Sequence, residues 1–126
     1  MKPSQSDLRL DYLARFQSHD ARAAFEYLLS HASGLRDYDC RLRNQGYLRT
    51  FQYKQGSKWP YGFIVNQADI LFYIRRPGQG NPALNASALS LQFSDVSTQA
   101  SGGEVKVRLS NAEDAGRLIR LVFSGA

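Results

Sequence analysis

Tyr47-Leu48-Arg49-Thr50-Phe51-Gln52-Tyr53-Lys54-Gln55-Gly56-Ser57-Lys58-Trp59-Pro60-Tyr61-Gly62-Phe63-Ile64-Val65 is the stretch that decides the fold class. Tyr47, Arg49, Phe51 and Tyr53 share one face of an extended chain, and Leu48, Thr50 and Gln52 share the other, which is the period of two expected of a strand. Gln55-Gly56-Ser57 then supplies turn chemistry, and Phe63-Ile64-Val65 is the returning apolar run. Pro60 has no N–H to give to a ladder, so it is expected to open or edge its strand.

The same alternation continues outward in both directions. Towards the N-terminus, Tyr38, Cys40 and Leu42 alternate with Asp39, Arg41 and Arg43, and Asn44-Gln45-Gly46 forms the next turn. Towards the C-terminus, Asn66-Gln67-Ala68-Asp69 separates Phe63–Val65 from Ile70-Leu71-Phe72-Tyr73-Ile74. These runs predict an antiparallel meander of up to four strands. Pro77 to Ser87 is rich in breakers and reads as an exposed loop. Leu89, Leu91 and Phe93 predict a short strand, and Ser97 to Gly103 predicts a second loop. Val105, Val107 and Leu109, alternating with Glu104, Lys106 and Arg108, predict a strand with one wet face.

Helices are expected at both ends. Ser4 or Ser6 can cap a first helix whose Leu10, Leu13 and Phe16 recur at helical spacing, before Ser18-His19-Asp20 interrupts it. A second helix is predicted from about Ala21 to Ala32, with Ala24, Phe25, Leu28 and Leu29 inward and Gly34 as a left-handed stop. Ser110-Asn111-Ala112-Glu113 has capping-box form, and Ala115, Leu118, Ile119, Val122 and Phe123 then make one apolar stripe. The expected architecture is α+β: N-terminal helices over residues 1–34, an antiparallel sheet of about five strands within 35–109, and a C-terminal strand followed by a packing helix over 110–124.

A chain of 126 residues fits one domain, and 43% apolar with 21% charged residues excludes a disordered or fibrous class. One cysteine, Cys40, makes no internal disulfide and has no zinc-like neighbours. The first 18 residues mix charges among their leucines and lack a signal-peptide core, and no stretch approaches the roughly 20 apolar residues of a membrane helix. These features lead to an expectation of a cytoplasmic protein with no membrane partner.

Residues 35–76 hold eight bases (Arg36, Arg41, Arg43, Arg49, Lys54, Lys58, Arg75 and Arg76) against Asp37, Asp39 and Asp69, an excess equal to the whole formal charge of +5. Nine of the fifteen aromatic residues lie in the same window, including Trp59 and Tyr61. Cations interleaved with rings suit a phosphate backbone and its bases. The leading expectation is therefore a non-enzymatic accessory or regulatory protein that binds nucleic acid through Arg41, Arg43, Arg49, Lys54, Lys58, Trp59, Tyr61, Arg75 and Arg76. The same charge equally suits an acidic partner protein, so an interaction or inhibitor module is the alternative. Outward bases also protect sheet edges and keep a sheet from aggregating, with no further role.

Trp59-Pro60-Tyr61-Gly62-Phe63-Ile64-Val65-Asn66 partly resembles the aromatic RNA-recognition signature, but Pro60 stands where that signature has Gly and the strands come in a run. Asp95, nine residues before Glu104-Val105-Lys106, resembles the Asp…Glu-x-Lys arrangement of the restriction-endonuclease family. That resemblance implies a metal-dependent nuclease as a second alternative, with Asp95 and Glu104 on a divalent ion and Lys106 beside the attacking water. His19 and His31 accompany no nucleophile motif, and Cys40 is expected to be a small buried hydrophobe. No phosphate loop, nucleophile elbow or His-x-x-x-His pair is present, and no cofactor is expected.

The stretch Phe51-Gln52-Tyr53-Lys54-Gln55-Gly56-Ser57, the hairpin from Phe63 to Arg75, and Glu104-Val105-Lys106-Val107-Arg108-Leu109 leading into Ser110-Asn111-Ala112-Glu113-Asp114 together resemble a family of small uncharacterised prokaryotic domains. Members occur alone or beside nuclease-like modules. The resemblance covers about residues 47–123, implies a DNA-related setting, and brings no catalytic residues with it.

Overall fold

The computed structural model describes residues 4–45, 48–75, 84, 86–98 and 104–123. Gly46 of the expected turn, Tyr47 of the expected strand face, the base Arg76, and most of the expected 77–87 and 97–103 loops lie outside them.

Two helices begin the chain, each started by a serine. Ser4 Oγ accepts the Asp7 N–H at 3.0 Å while Asp7 accepts the Ser4 N–H at 3.3 Å, a reciprocal cap that starts α1 (Gln5–Arg15). Ser18 Oγ accepts the Ala21 N–H at 3.2 Å and starts α2 (His19–Ala32). The inward face of α1 differs from expectation. Leu8 and Tyr12, four residues apart, are buried, while Leu10 is 66% exposed and Leu13 and Phe16 reach the core only in part. Tyr12 wins this place because its hydroxyl has partners there. It accepts the Thr50 N–H at 3.0 Å and lies in donor reach of the Thr50 and Arg43 carbonyls. On α2 the expected stripe holds, with Ala24, Phe25 and Leu28 fully buried. Gly34 is not a left-handed stop, because Gly56 is the only described residue with positive φ and Ser33 caps the helix in right-handed geometry.

The strands β1 (Asp39–Gln45), β2 (Leu48–Gln55), β3 (Lys58–Val65), β4 (Ile70–Ile74), β5 (Val96–Thr98) and β6 (Val105–Leu109) form one antiparallel sheet in the order β1-β2-β3-β4-β6-β5. This is six strands where about five were expected. Gly56, at φ 63°, opens the two-residue turn between Gln55 and Lys58. Pro60 sits in an interior strand rather than at an edge. It is tolerated because the β2–β3 register shifts between Tyr53 and Gln55, so the ladder is interrupted opposite it, and its carbonyl still accepts the Arg75 N–H at 2.8 Å.

The strand expected over Leu89–Phe93 is instead a short helix, α3 (Ala86–Ser90), with its following turn. Leu89 and Phe93 are buried whereas Leu91 is 88% exposed, and Phe93 N–H reaches the Leu89 carbonyl at 2.9 Å. A spacing of four, not two, satisfies both the core and the backbone there. The pairing function passes to β5. The last helix, α4 (Ala112–Phe123), is capped one residue later than expected, with Asp114 N–H on Asn111 Oδ1 at 2.8 Å.

One sheet face, the near face, lies against α2 and α4. Register aligns Leu42, Phe51, Phe63, Phe72, Val107 and Val96 across all six strands on this side. Phe51 stacks on Phe63 at 5.0 Å, and Phe25 of α2 meets Phe63 edge-on at 6.1 Å. Each such buried ring contributes about 2 to 3 kcal/mol of transfer free energy. Phe123 of α4 packs on Tyr38, Tyr53 and Tyr61, so the C-terminal helix closes the meander.

Candidate functional site

The opposite, far face carries the charges. Arg41, Gln52, Gly62, Tyr73, Lys106 and Ser97 form one row across it, and Arg43, Thr50, Ile64, Leu71 and Arg108 form the next. Lys54 pairs in register with Asp39 beyond the first row. The pleat therefore brings Arg41, Arg43 and Lys54 onto the same corner of the sheet, with Lys58 across the hairpin turn from them.

Arg49 and Arg75 are placed elsewhere. Arg49 belongs to the near side, where its Nε stands 3.0 Å from Asp11 of α1. Arg75 lies over the Trp59 ring at 4.3 Å, donates to the Trp59 carbonyl at 3.2 Å and faces Glu104 at 3.8 Å. Arg41 is held by Asp39 at 2.9 Å. Arg43, Lys54 and Lys58 are exposed, and no carboxylate among the described residues pairs with their side chains. On the β4–β6 side, Arg75, Lys106 and Arg108 are offset by Glu104, Asp69 and Asp95. The positive excess of the far face is therefore concentrated on β1 and β2.

Most of the window's described rings are turned into the protein. Phe51, Tyr53, Tyr61, Phe63 and Phe72 are in the core, Tyr61 against Tyr38 and Phe123. Tyr73 is 5% exposed and Trp59 is half-buried beneath Arg75. Burial, with Glu104 nearby, holds the Tyr73 phenol well above its ordinary pKa. Tyr61 and Trp59 were expected to meet bases, but their faces are already occupied by protein.

The Asp95, Glu104 and Lys106 arrangement does not assemble. The Asp95 carbonyl accepts the Arg108 N–H at 3.1 Å, and its carboxylate holds Arg108 Nε at 2.8 Å. Glu104 lies four positions earlier along β6, roughly 13 Å away at the rise of a strand. Two carboxylates that share one divalent ion must place oxygens within about 5 Å of each other. Among the described residues no group of three His, Cys, Asp or Glu side chains could hold a metal. Arg108 Nη1 also reaches Asp69 at 2.8 Å, so these acids act as a clasp joining β6, the β3–β4 turn and the start of β5.

The edge of β1 carries a feature that the sequence does not announce. Gln5 Oε1 accepts the Leu42 N–H at 2.8 Å, and Gln5 Nε2 donates to the Leu42 carbonyl at 3.0 Å. A side-chain amide thus occupies the place of a neighbouring strand. The contact spans 37 positions, and a lone Gln in a helix gives no sign of it. Beside it runs a cleft of about 330 Å³ lined by Leu29, Ala32, Leu35, Tyr38, Cys40 and Phe51, among others. A second cleft of about 210 Å³ shares Leu29 and Phe51 and reaches Leu42, Gln5 and Arg9. Burial, with Asp39 adding, pushes the Cys40 thiol up to about 11, so it stands there as an apolar wall.

An α+β domain with a helix-covered near face and a cationic corner on its far face is the class these features define. No protein-family model, no curated protein and no solved structure matches the chain. Among the described residues no helix is long and apolar enough to cross a membrane.

Proposed function

We propose that this chain is a non-enzymatic accessory module that binds an acidic segment of a partner protein along β1. One juxtaposition carries the reading: exposed Arg41 and Arg43 flank β1 on its far side, while an apolar cleft over Leu42 and a mixed cleft over Cys40, whose lining includes Ser33 and Asp39, flank it on the near side. A surface that offers cations and apolar pockets within one strand's width favours a protein chain with acidic and apolar side chains. The burial of Phe51, Tyr53, Tyr61, Phe63 and Phe72 supports this reading over one that relies on base stacking.

The second reading is binding to the phosphate backbone of nucleic acid, favoured by Arg43, Lys54 and Lys58 standing without a carboxylate. Fluorescence anisotropy separates the two readings. Titration with a labelled acidic peptide containing apolar residues, and with a labelled duplex, is carried out at roughly 50 and 200 mM salt. The protein reading expects the peptide to bind in preference to the duplex. Preference for the duplex, with a log–log salt slope near −3 for three phosphate contacts, would replace it with the nucleic-acid reading.

A further inference from the structure

We infer that β1 takes its partner by strand addition, the added segment alternating acidic and apolar residues and displacing the side chain of Gln5. This rests on the acidic-partner reading above and specifies how that partner is held. β1 is an outer strand of the sheet. Leu42 turns both its N–H and its C=O outward, where Gln5 pairs with them at 2.8 and 3.0 Å. Backbone direction in an antiparallel ladder alternates residue by residue, so Cys40 also turns its two groups outward. They have no partner among the described residues. The edge is therefore half capped: one pair of groups is held by a side chain, the other is open.

The flanks of β1 define what an added strand must carry. Its side chains on the near side meet the cleft over Leu42, which calls for apolar residues, and the mixed cleft over Cys40, which Leu29, Ala32 and Leu35 line together with Ser33 and Asp39. Those on the far side stand beside Arg43 and the Asp39-paired Arg41, and Arg43, without a carboxylate among the described residues, calls for an acidic side chain. In a second copy of this chain paired about Leu42, Arg41 of one strand would stand against Arg43 of the other, so an acidic segment is the better match there. A nucleic-acid strand has no peptide groups to complete the ladder.

The test uses the full chain and a labelled synthetic peptide of about seven residues, the length of an ordinary strand, alternating Glu and Val. It is expected to bind about tenfold more tightly than a scramble of the same composition, and N-methylation of its β1-facing amides is expected to abolish that advantage. Bound peptide should slow amide exchange at Cys40 and Leu42, and Gln5→Ala should tighten binding roughly fivefold by vacating Leu42. If the scramble and the N-methylated peptide bind as well as the parent and neither amide is protected, strand addition is overturned while an acidic partner stands. If Gln5→Ala leaves affinity unchanged with its fold intact by circular dichroism, the displacement of Gln5 is overturned. No binding of either peptide at low salt overturns the acidic-partner reading as well.

Discussion

Tyr73 covers Gly62 across the β3–β4 ladder so closely that a Cβ on Gly62 would lie 2.3 Å from its hydroxyl oxygen, 2.5 Å from Cζ and 2.8 Å from the Phe51 carbonyl. The ring can move but the carbonyl belongs to the backbone of β2. Gly62→Ala should gain somewhat under 1 kcal/mol from reduced unfolded-state entropy and lose about 1 to 3 kcal/mol to overpacking. A net loss of about 2 kcal/mol in urea unfolding is the expected outcome, and a variant as stable as the parent would show that β2 and Tyr73 yield readily.

Two tyrosine hydroxyls should respond in opposite senses. Tyr53 Oη is fully buried with no hydrogen-bond partner among the described residues, whereas Tyr12 Oη bridges the opening between β1 and β2. Tyr53→Phe should stabilise by about 1 kcal/mol, since it removes a desolvated group and leaves the ring in place. Tyr12→Phe should cost about 1 to 3 kcal/mol because it removes the buried hydroxyl that accepts the Thr50 N–H. Thermal unfolding of both variants is the check, and equal shifts would contradict the assignment.

Stability should fall at alkaline pH as the Cys40 thiol ionises. The folded Cys40 thiol sits at about 11 against an ordinary value near 9.0, so its contribution is complete below pH 9 and is lost as pH rises through 11. Cys40→Ala should flatten that limb. The same shift leaves about 100-fold less thiolate at pH 8, so alkylation of the native protein should lag that of the unfolded chain by about that factor. At the acid end, burial lowers the pKa of His31, and the stability it contributes above its unfolded value is lost as pH falls below it.

Substituting arginines should sort them by face. Arg41→Ala and Arg43→Ala should each weaken partner binding several-fold with stability changed by under about 0.5 kcal/mol, as expected of exposed side chains. Arg49→Ala should leave partner binding intact, because Arg49 is directed to Asp11 on the near side. Loss of binding in Arg49→Ala with its fold preserved would show that the surface extends around the β1–β2 edge.

Alternation and capping made the meander, α2 and α4 legible in the sequence, because a half-buried strand and an amphipathic helix each impose a period on composition. Misreadings arose where one side chain answered two demands. Leu10 looked like core and Tyr12 did not, since hydropathy ignores that a phenol can serve the core and a strand end together. Leu89, Leu91 and Phe93 fit both periods, and only Leu91's exposure separates them. Charge was legible as an amount but not as a direction: Arg41 and Arg49 look alike in the sequence and end on opposite faces. Asp95 and Glu104 had suggestive spacing, but the β5–β6 register placed them at opposite ends of a strand. Gln5 left no trace at all, because its role depends on a strand 37 residues away.

Sheet order has a consequence for biosynthesis. Strands β1 to β4 leave the ribosome in the order in which they pair, but the second side of β4 waits for β6, and β5 emerges with nothing to join. The roughly 30 residues between Ile74 and Val105 take on the order of 2 to 6 s to translate, an interval in which the nascent sheet carries an unprotected margin. The sheet is thus most exposed to off-pathway association while β1 to β4 are already paired and β6 is still to come.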